Sequence, residues 1–205
     1  MIHVVDDEEP IRDALAWLLR SRDLACRTYA SAEEFLAYVA AGDADADSPA
    51  AILLDVRMGG MSGTDLFERL GAEARVPTWP VVFLTGHGDV PMAVETLKLG
   101  AFDFVEKPFN DNSLVDRLIA AIGESRRRID EARERASREE SLAALTARER
   151  DVLDLIVEGH YNKVIADRLG IAMRTVEVYR ARVFEKMGVK SAVELARKLG
   201  GRDEG

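Results

Sequence analysis

Five polar residues in the first half of this sequence stand where short apolar runs end. Asp6 and Asp7 follow IHVV, Asp55 follows AILL, Thr85 follows VVFL, and Lys107 lies just past FDFV. Three carboxylates gathered in one place repel one another and need a cation. Hard oxygen donors with positions left open suit Mg2+ (or Mn2+), which keeps part of its water and bridges to phosphate oxygens. A carboxylate beside such an ion can attack phosphorus, because the charge that builds up is neutralised. Asp55 is then the nucleophile and Lys107 its positive partner. Thr85 offers a hydroxyl that can follow the transferred group. Taken singly, each residue reads as a helix cap, a solvated turn or a loop; the set in this order is what carries the chemistry.

Something must bring these residues together. Residues 2–5, 24–29, 51–54, 81–84 and 102–105 read as strands, and helical spacing follows each of them. Pro10 suits a first helical turn. Ser31 with Glu34 forms a capping box, Ser62 and Asp65 open a helix, and Asp89 can cap another. A last helix of this part begins near Asn110. Five such repeats with strands buried on both faces predict a doubly wound α/β fold around a parallel five-stranded sheet. Ligands bind such sheets at the carboxyl ends of the strands, near a switch in strand order. That is where the five polar residues fall.

The remainder is helical. Residues 124–141 carry equal numbers of acidic and basic residues and extend the preceding helix as a linker. Ile122, Ser125, Ile129, Ala132 and Ala136 recur with heptad-like spacing, which fits either a solvated helix or a coiled-coil dimer seam. From Leu142 on, Thr146 with Glu149 and Ser191 with Glu194 form capping boxes. Two helical stretches between them, joined by Gly170–Ala172, match a helix-turn-helix over about 162–182. The domain reading is therefore 1–123, 124–141 and 142–205.

Composition sets limits. The 205 residues are 47% hydrophobic and 32% charged, with a net charge of −9. That charge is unevenly placed: −11 over 1–123 and +2 over 142–205. Only the last third is suited to meeting nucleic acid. No apolar run is long enough to span a bilayer, the start lacks the features of a secretory signal, and there is a single cysteine, Cys26. These point to a cytoplasmic protein with no membrane partner.

VVDDEEP, LLDVRMGGMSG, LTGHGDVPMAVETLKLGAFDFVEKPF, LTARERDVLDLIVEG and TVEVYRARVFEKMGVKS together resemble a two-component response regulator of the FixJ/NarL type. The likeness spans nearly the whole chain: a CheY-like receiver, then a LuxR-type helix-turn-helix domain that is all α. By that resemblance Asp55 is phosphorylated by a sensor histidine kinase. Asp7, Asp55 and the backbone carbonyl of Arg57 hold Mg2+, and Asp6 helps through water. Thr85 and Phe104 form a switch pair, and the Lys107–Pro108 bond is cis. Phosphorylation promotes a homodimer that binds double-stranded promoter DNA and acts with RNA polymerase in a bacterial cytoplasm. The protein accepts phosphate but is not otherwise an enzyme. A phosphatase of the haloacid dehalogenase kind needs a second acid two residues after the nucleophile, and that position is Arg57.

On the recognition helix, from Arg174, the outward residues are Arg174, Glu177, Val178 and Arg182 together with Ala181. Lys163, Thr175 and Lys186 are placed for phosphate contact. Val90, Met92 and Val94 are apolar candidates for the dimer face. Arg57 and His87 flank the path of a hydrolytic water, which predicts slow loss of phosphate. The sequence also departs from the family. Gly59 replaces a usual proline, predicting a looser loop beside the metal. Val164, Ala172 and Tyr179 replace a usual Glu, a Ser or Thr cap, and a His.

Overall fold

The computed structural model describes residues 1–42, 44–45, 47–72, 79–86 and 96–200. Asp89, His87, Val90, Met92 and Val94 lie outside the described residues. The chain forms two compact units, Met1–Asp130 and Glu131–Gly205.

In the first unit the strands are β1 (Ile2–Val5), β2 (Cys26–Tyr29), β3 (Ala51–Asp55), β4 (Val81–Thr85) and β5 (Asp103–Glu106). All pair in parallel, in the order β2-β1-β3-β4-β5. The order reverses at β1, which lies between β2 and β3. Val5 pairs with Leu54, and Asp55 with Leu84. The residues after β1 therefore emerge beside the end of β3.

Three helices cross between the early strands: α1 (Glu9–Ser21), α2 (Ala32–Ala40) and α3 (Gly63–Ala72). Strand residues alternate between the two faces of the sheet. Val4, Leu53 and Leu84 join α1 residues Leu15 and Leu19 in one core, with Leu114 and Leu118. Ile52, Leu54 and Phe83 face the other way and pack on Phe35 of α2 and Leu66 of α3. The Ser31 hydroxyl accepts from the Glu34 amide at 3.2 Å, as the capping box predicts.

A 33-residue helix, α4 (Asp111–Ala143), follows β5. Of its heptad-spaced residues, Ile122, Ser125 and Ile129 pack on the first unit, whereas Ala132 and Ala136 are exposed. Ile122 packs on the first core, Ile129 is buried, and the Ser125 hydroxyl accepts from the Ala50 amide at 3.2 Å. Packing inside the first unit accounts for the spacing as far as Ile129, and the first unit extends to Asp130.

The second unit holds α5 (Ala147–Val157), α6 (Asn162–Leu169), α7 (Met173–Met187) and α8 (Ala192–Gly200). Thr146 and Glu149 complete a reciprocal capping box. Gly170 ends α6 with φ +65, a left-handed conformation that glycine adopts without strain. Ile156, Ile165, Val176, Val183, Met187 and Leu195 are among the residues that fill its core.

Candidate functional site

The strand ends collect the polar residues at one edge of the sheet. One oxygen from each of Asp6, Asp7 and Asp55 lies within 4.8 Å of the others. Asp6 is fully buried, Asp55 is 5% exposed, and Asp7 faces solvent. Lys107 reaches across from beyond β5, with Nζ 3.0 Å from Asp6 Oδ2 and 3.2 Å from Asp55 Oδ2. Its backbone amide donates to the Thr85 carbonyl at 2.7 Å, and the bond to Pro108 is cis.

Burial pushes the Asp55 carboxyl above its ordinary range; Lys107 pulls against that, and Asp6 adds to it. The Arg57 backbone also hydrogen-bonds Asp55 and favours its charged form. Burial works to lower Lys107, but its bonds to Asp6 and Asp55 outweigh that and raise it. The site is thus an anionic cluster in which Lys107 is ion-paired to Asp6 and Asp55.

The three clustered carboxylates outnumber the Lys107 ammonium paired to them, an excess of negative charge that a metal cation would offset. All the side-chain donors are hard oxygens, so the residues present fit Mg2+. Thr85 supplies a second observation. Its hydroxyl is buried and finds no hydrogen-bond partner among the described residues. An orphaned polar group of this kind costs about 1–3 kcal/mol.

Phe104, paired with Phe83 on the neighbouring strand, is half-buried against the second core. Arg117 of α4 ties this strand down through Asp103 and the Phe104 carbonyl. Arg57 lies exposed in the loop after β3.

Models of two families match the chain: the response regulator receiver domain over residues 2–119, and bacterial regulatory proteins of the luxR family over residues 143–199. The chain is a response regulator. It is 50% identical over 196 residues to the C4-dicarboxylate transport transcriptional regulatory protein DctR of Rhodobacter capsulatus, covering 96% of this chain and 97% of the relative. It is 45% identical to the transcriptional regulatory protein FixJ of Azorhizobium caulinodans, covering 96% of this chain and 90% of the relative. Among solved structures, the response regulator StyR superposes with a TM-score of 0.85 at 35% identity, covering 98% of both chains. A receiver joined to a LuxR-type domain makes this response regulator a DNA-binding transcription regulator of a two-component system.

In the DNA-binding domain of this regulator, Lys163 of α6 and Arg174, Thr175, Glu177, Val178 and Arg182 of α7 are exposed. Ala172, at the start of α7, provides no side-chain cap. Lys186 is also exposed and has partners within the unit. Its Nζ donates to Glu149 Oε2 at 2.7 Å and to the Ala144 carbonyl at 3.0 Å. Glu149 is only 2% exposed, so Lys186 also answers a buried carboxylate, a role the sequence did not show.

Sequence reasoning missed several contributors. The Arg12 guanidinium donates to the Asp6 carbonyl at 2.7 Å and steadies the first acidic turn. The Gly59-Gly60 loop is also not slack as expected. The Gly59 amide donates to Asp7 Oδ2 at 2.8 Å, and the Met61 amide to Glu33 Oε1 at 3.2 Å. Proline at position 59 has no amide hydrogen for the first of these bonds. The Gly-Gly pair was visible in the sequence; the acceptors on β1 and α2 were not.

Proposed function

We propose that this regulator is switched by a phosphoryl group on Asp55, taken from the phosphohistidine of a sensor kinase. The supporting observation is the buried Asp55 carboxylate beside Lys107 and two further carboxylates, with the Thr85 hydroxyl nearby, which has no partner among the described residues. Asp55 attacks phosphorus, the P–N bond breaks, and the leaving imidazole takes up a proton. Lys107 offsets the charge on the transferred group. Asp7, Asp55 and the Arg57 carbonyl would hold Mg2+, with Asp6 acting through water; the ion supplies charge neutralisation at the phosphoryl oxygens.

The phosphoryl oxygen then draws the Thr85 hydroxyl, and Phe104 follows into the space it leaves. We assign a phosphorylated homodimer to this change. It places two copies of α7 in successive major grooves of promoter DNA, with half-sites about 10 bp apart. RNA polymerase is the next partner. The protein works in the cytoplasm, and as a phosphoacceptor it turns over no external substrate beyond its own phosphate.

Incubation with labelled acetyl phosphate and Mg2+ tests the chemical step. Wild type takes up label and Asp55→Asn does not, because an amide is no nucleophile towards phosphorus. Equal labelling of the variant contradicts the assignment.

A further inference from the structure

We infer that Glu33, on α2 and outside the acidic cluster, is a positioning residue for the metal and phosphoryl site. The inference rests on the reading of that site given above.

The loop from Val56 to Ser62 carries the Arg57 carbonyl, and its two ends are fixed. The Val56 amide donates to the Leu84 carbonyl at 3.0 Å, and the Gly63 amide to the Val56 carbonyl at 3.0 Å. Between them lie two consecutive glycines, the least restrained pair a chain can contain. Gly60 takes φ +83, which a side chain disfavours. A Cβ there would also lie 3.3 Å from Glu33 Oε1. The tight turn therefore brings the backbone up to a carboxylate with no room to spare.

The Arg57 backbone bonds Asp55 at one end of this loop, and two side chains from different places hold the glycine pair. Asp7, which holds the Gly59 amide, belongs to the site itself. Glu33, which holds the Met61 amide, belongs to α2 and meets the far side of the glycine pair. Glu33 is itself held, since its carboxyl sits below the usual range through its own backbone amide, the Ser31 hydroxyl and the Met61 amide. Ser31 also caps α2 by accepting from Glu34. A helix start thus anchors the loop, which in turn presents an amide to Asp7. Met58 and Met61 lean on the second core and fix the loop's depth, but neither restrains the peptide planes of the glycines.

Calorimetric titration of the full chain with MgCl2 tests this. Groups that orient metal ligands from behind typically contribute ten-fold or more to affinity. Glu33→Ala is expected to weaken Mg2+ binding on the order of ten-fold, while the unfolding midpoint without Mg2+ stays unchanged. Hydrogen exchange over 57–62 should quicken in the same variant. Glu33→Gln keeps an acceptor oxygen and should stay near wild type. If Glu33→Gln weakens binding as much as Glu33→Ala, the lost charge is responsible and the positioning role is overturned. It is likewise overturned if Glu33→Ala binds Mg2+ as wild type does. Absence of Mg2+ binding by wild type overturns the site reading itself.

Discussion

A Cβ added to Gly63 would lie 2.1 Å from the Asp55 carbonyl oxygen. That neighbour is backbone and cannot swing away, so the strand end carrying the nucleophile must move. Gly63→Ala should cost at least about 1–3 kcal/mol by overpacking, and should slow phosphoryl uptake beyond what the lost stability explains. Urea unfolding and labelling rates measured on the same variant check both parts. His3 makes a different prediction. Its ring is 1% exposed, stacks on Trp79 at 4.6 Å, and lies 2.9 Å from the Tyr29 hydroxyl. Burial, then the N-terminal ammonium and Arg27, lower its pKa to about 4 from an ordinary 6.5. Between those values the unfolded chain binds the proton and the folded chain refuses it. Stability therefore falls as pH drops from 6.5 towards 4, by roughly 3 kcal/mol over the whole range. Urea melts at pH 7 and 5 should show this slope, and His3→Phe should flatten it. The Asp, Thr and Lys residues of the site were legible because each follows an apolar run. His3 was not, because Tyr29, Phe35, Tyr38 and Trp79 surround it only once the chain folds.

Two lysines of the DNA-binding unit differ through the elements they join. Lys163 is exposed on α6, whereas Lys186 links α7 to the start of α5 through Glu149. Lys163→Ala should weaken binding to all DNA sequences and reduce the salt slope by about 0.9 for each phosphate that is no longer neutralised. Lys186→Met should leave that slope alone and lower the melting temperature of this unit. The bond from Lys186, and then the Thr146 amide, hold the Glu149 carboxyl at about 2, below its ordinary 4.5. A lowered carboxyl contributes stability above its unfolded value, and that stability is lost as pH falls from 4.5 towards 2. Melting temperatures at pH 7 and 3 should therefore differ less in Lys186→Met than in wild type. The capping box at Thr146 was readable because its partners are three residues apart. The Lys186 pairing was not, because helical spacing shows that a side chain leaves the core but not what it meets. The first part of the α4 spacing was ambiguous for a similar reason. Ser125 and Ile129 recur at the same spacing whether a second copy or the protein's own sheet covers them.

At the scale of the whole molecule, charge and chemistry are divided between the two units. Residues 1–123 carry −11 and the acidic site, while residues 142–205 carry +2 and the helix-turn-helix. The parallel five-stranded sheet that gathers the site was legible from the alternation of apolar runs and helices; its order, β2-β1-β3-β4-β5, comes from pairing between strands distant in sequence. The central claim is that chemistry at Asp55 controls binding by α7, and DNA affinity measured with and without acetyl phosphate and Mg2+ tests it most directly. Fluorescence anisotropy on a promoter fragment bearing an inverted repeat, with the full chain and with Asp55→Asn, provides the comparison. Acetyl phosphate is expected to tighten binding by wild type and to leave Asp55→Asn unchanged. Equal affinity of wild type in both conditions, or the same tightening in Asp55→Asn, would contradict it.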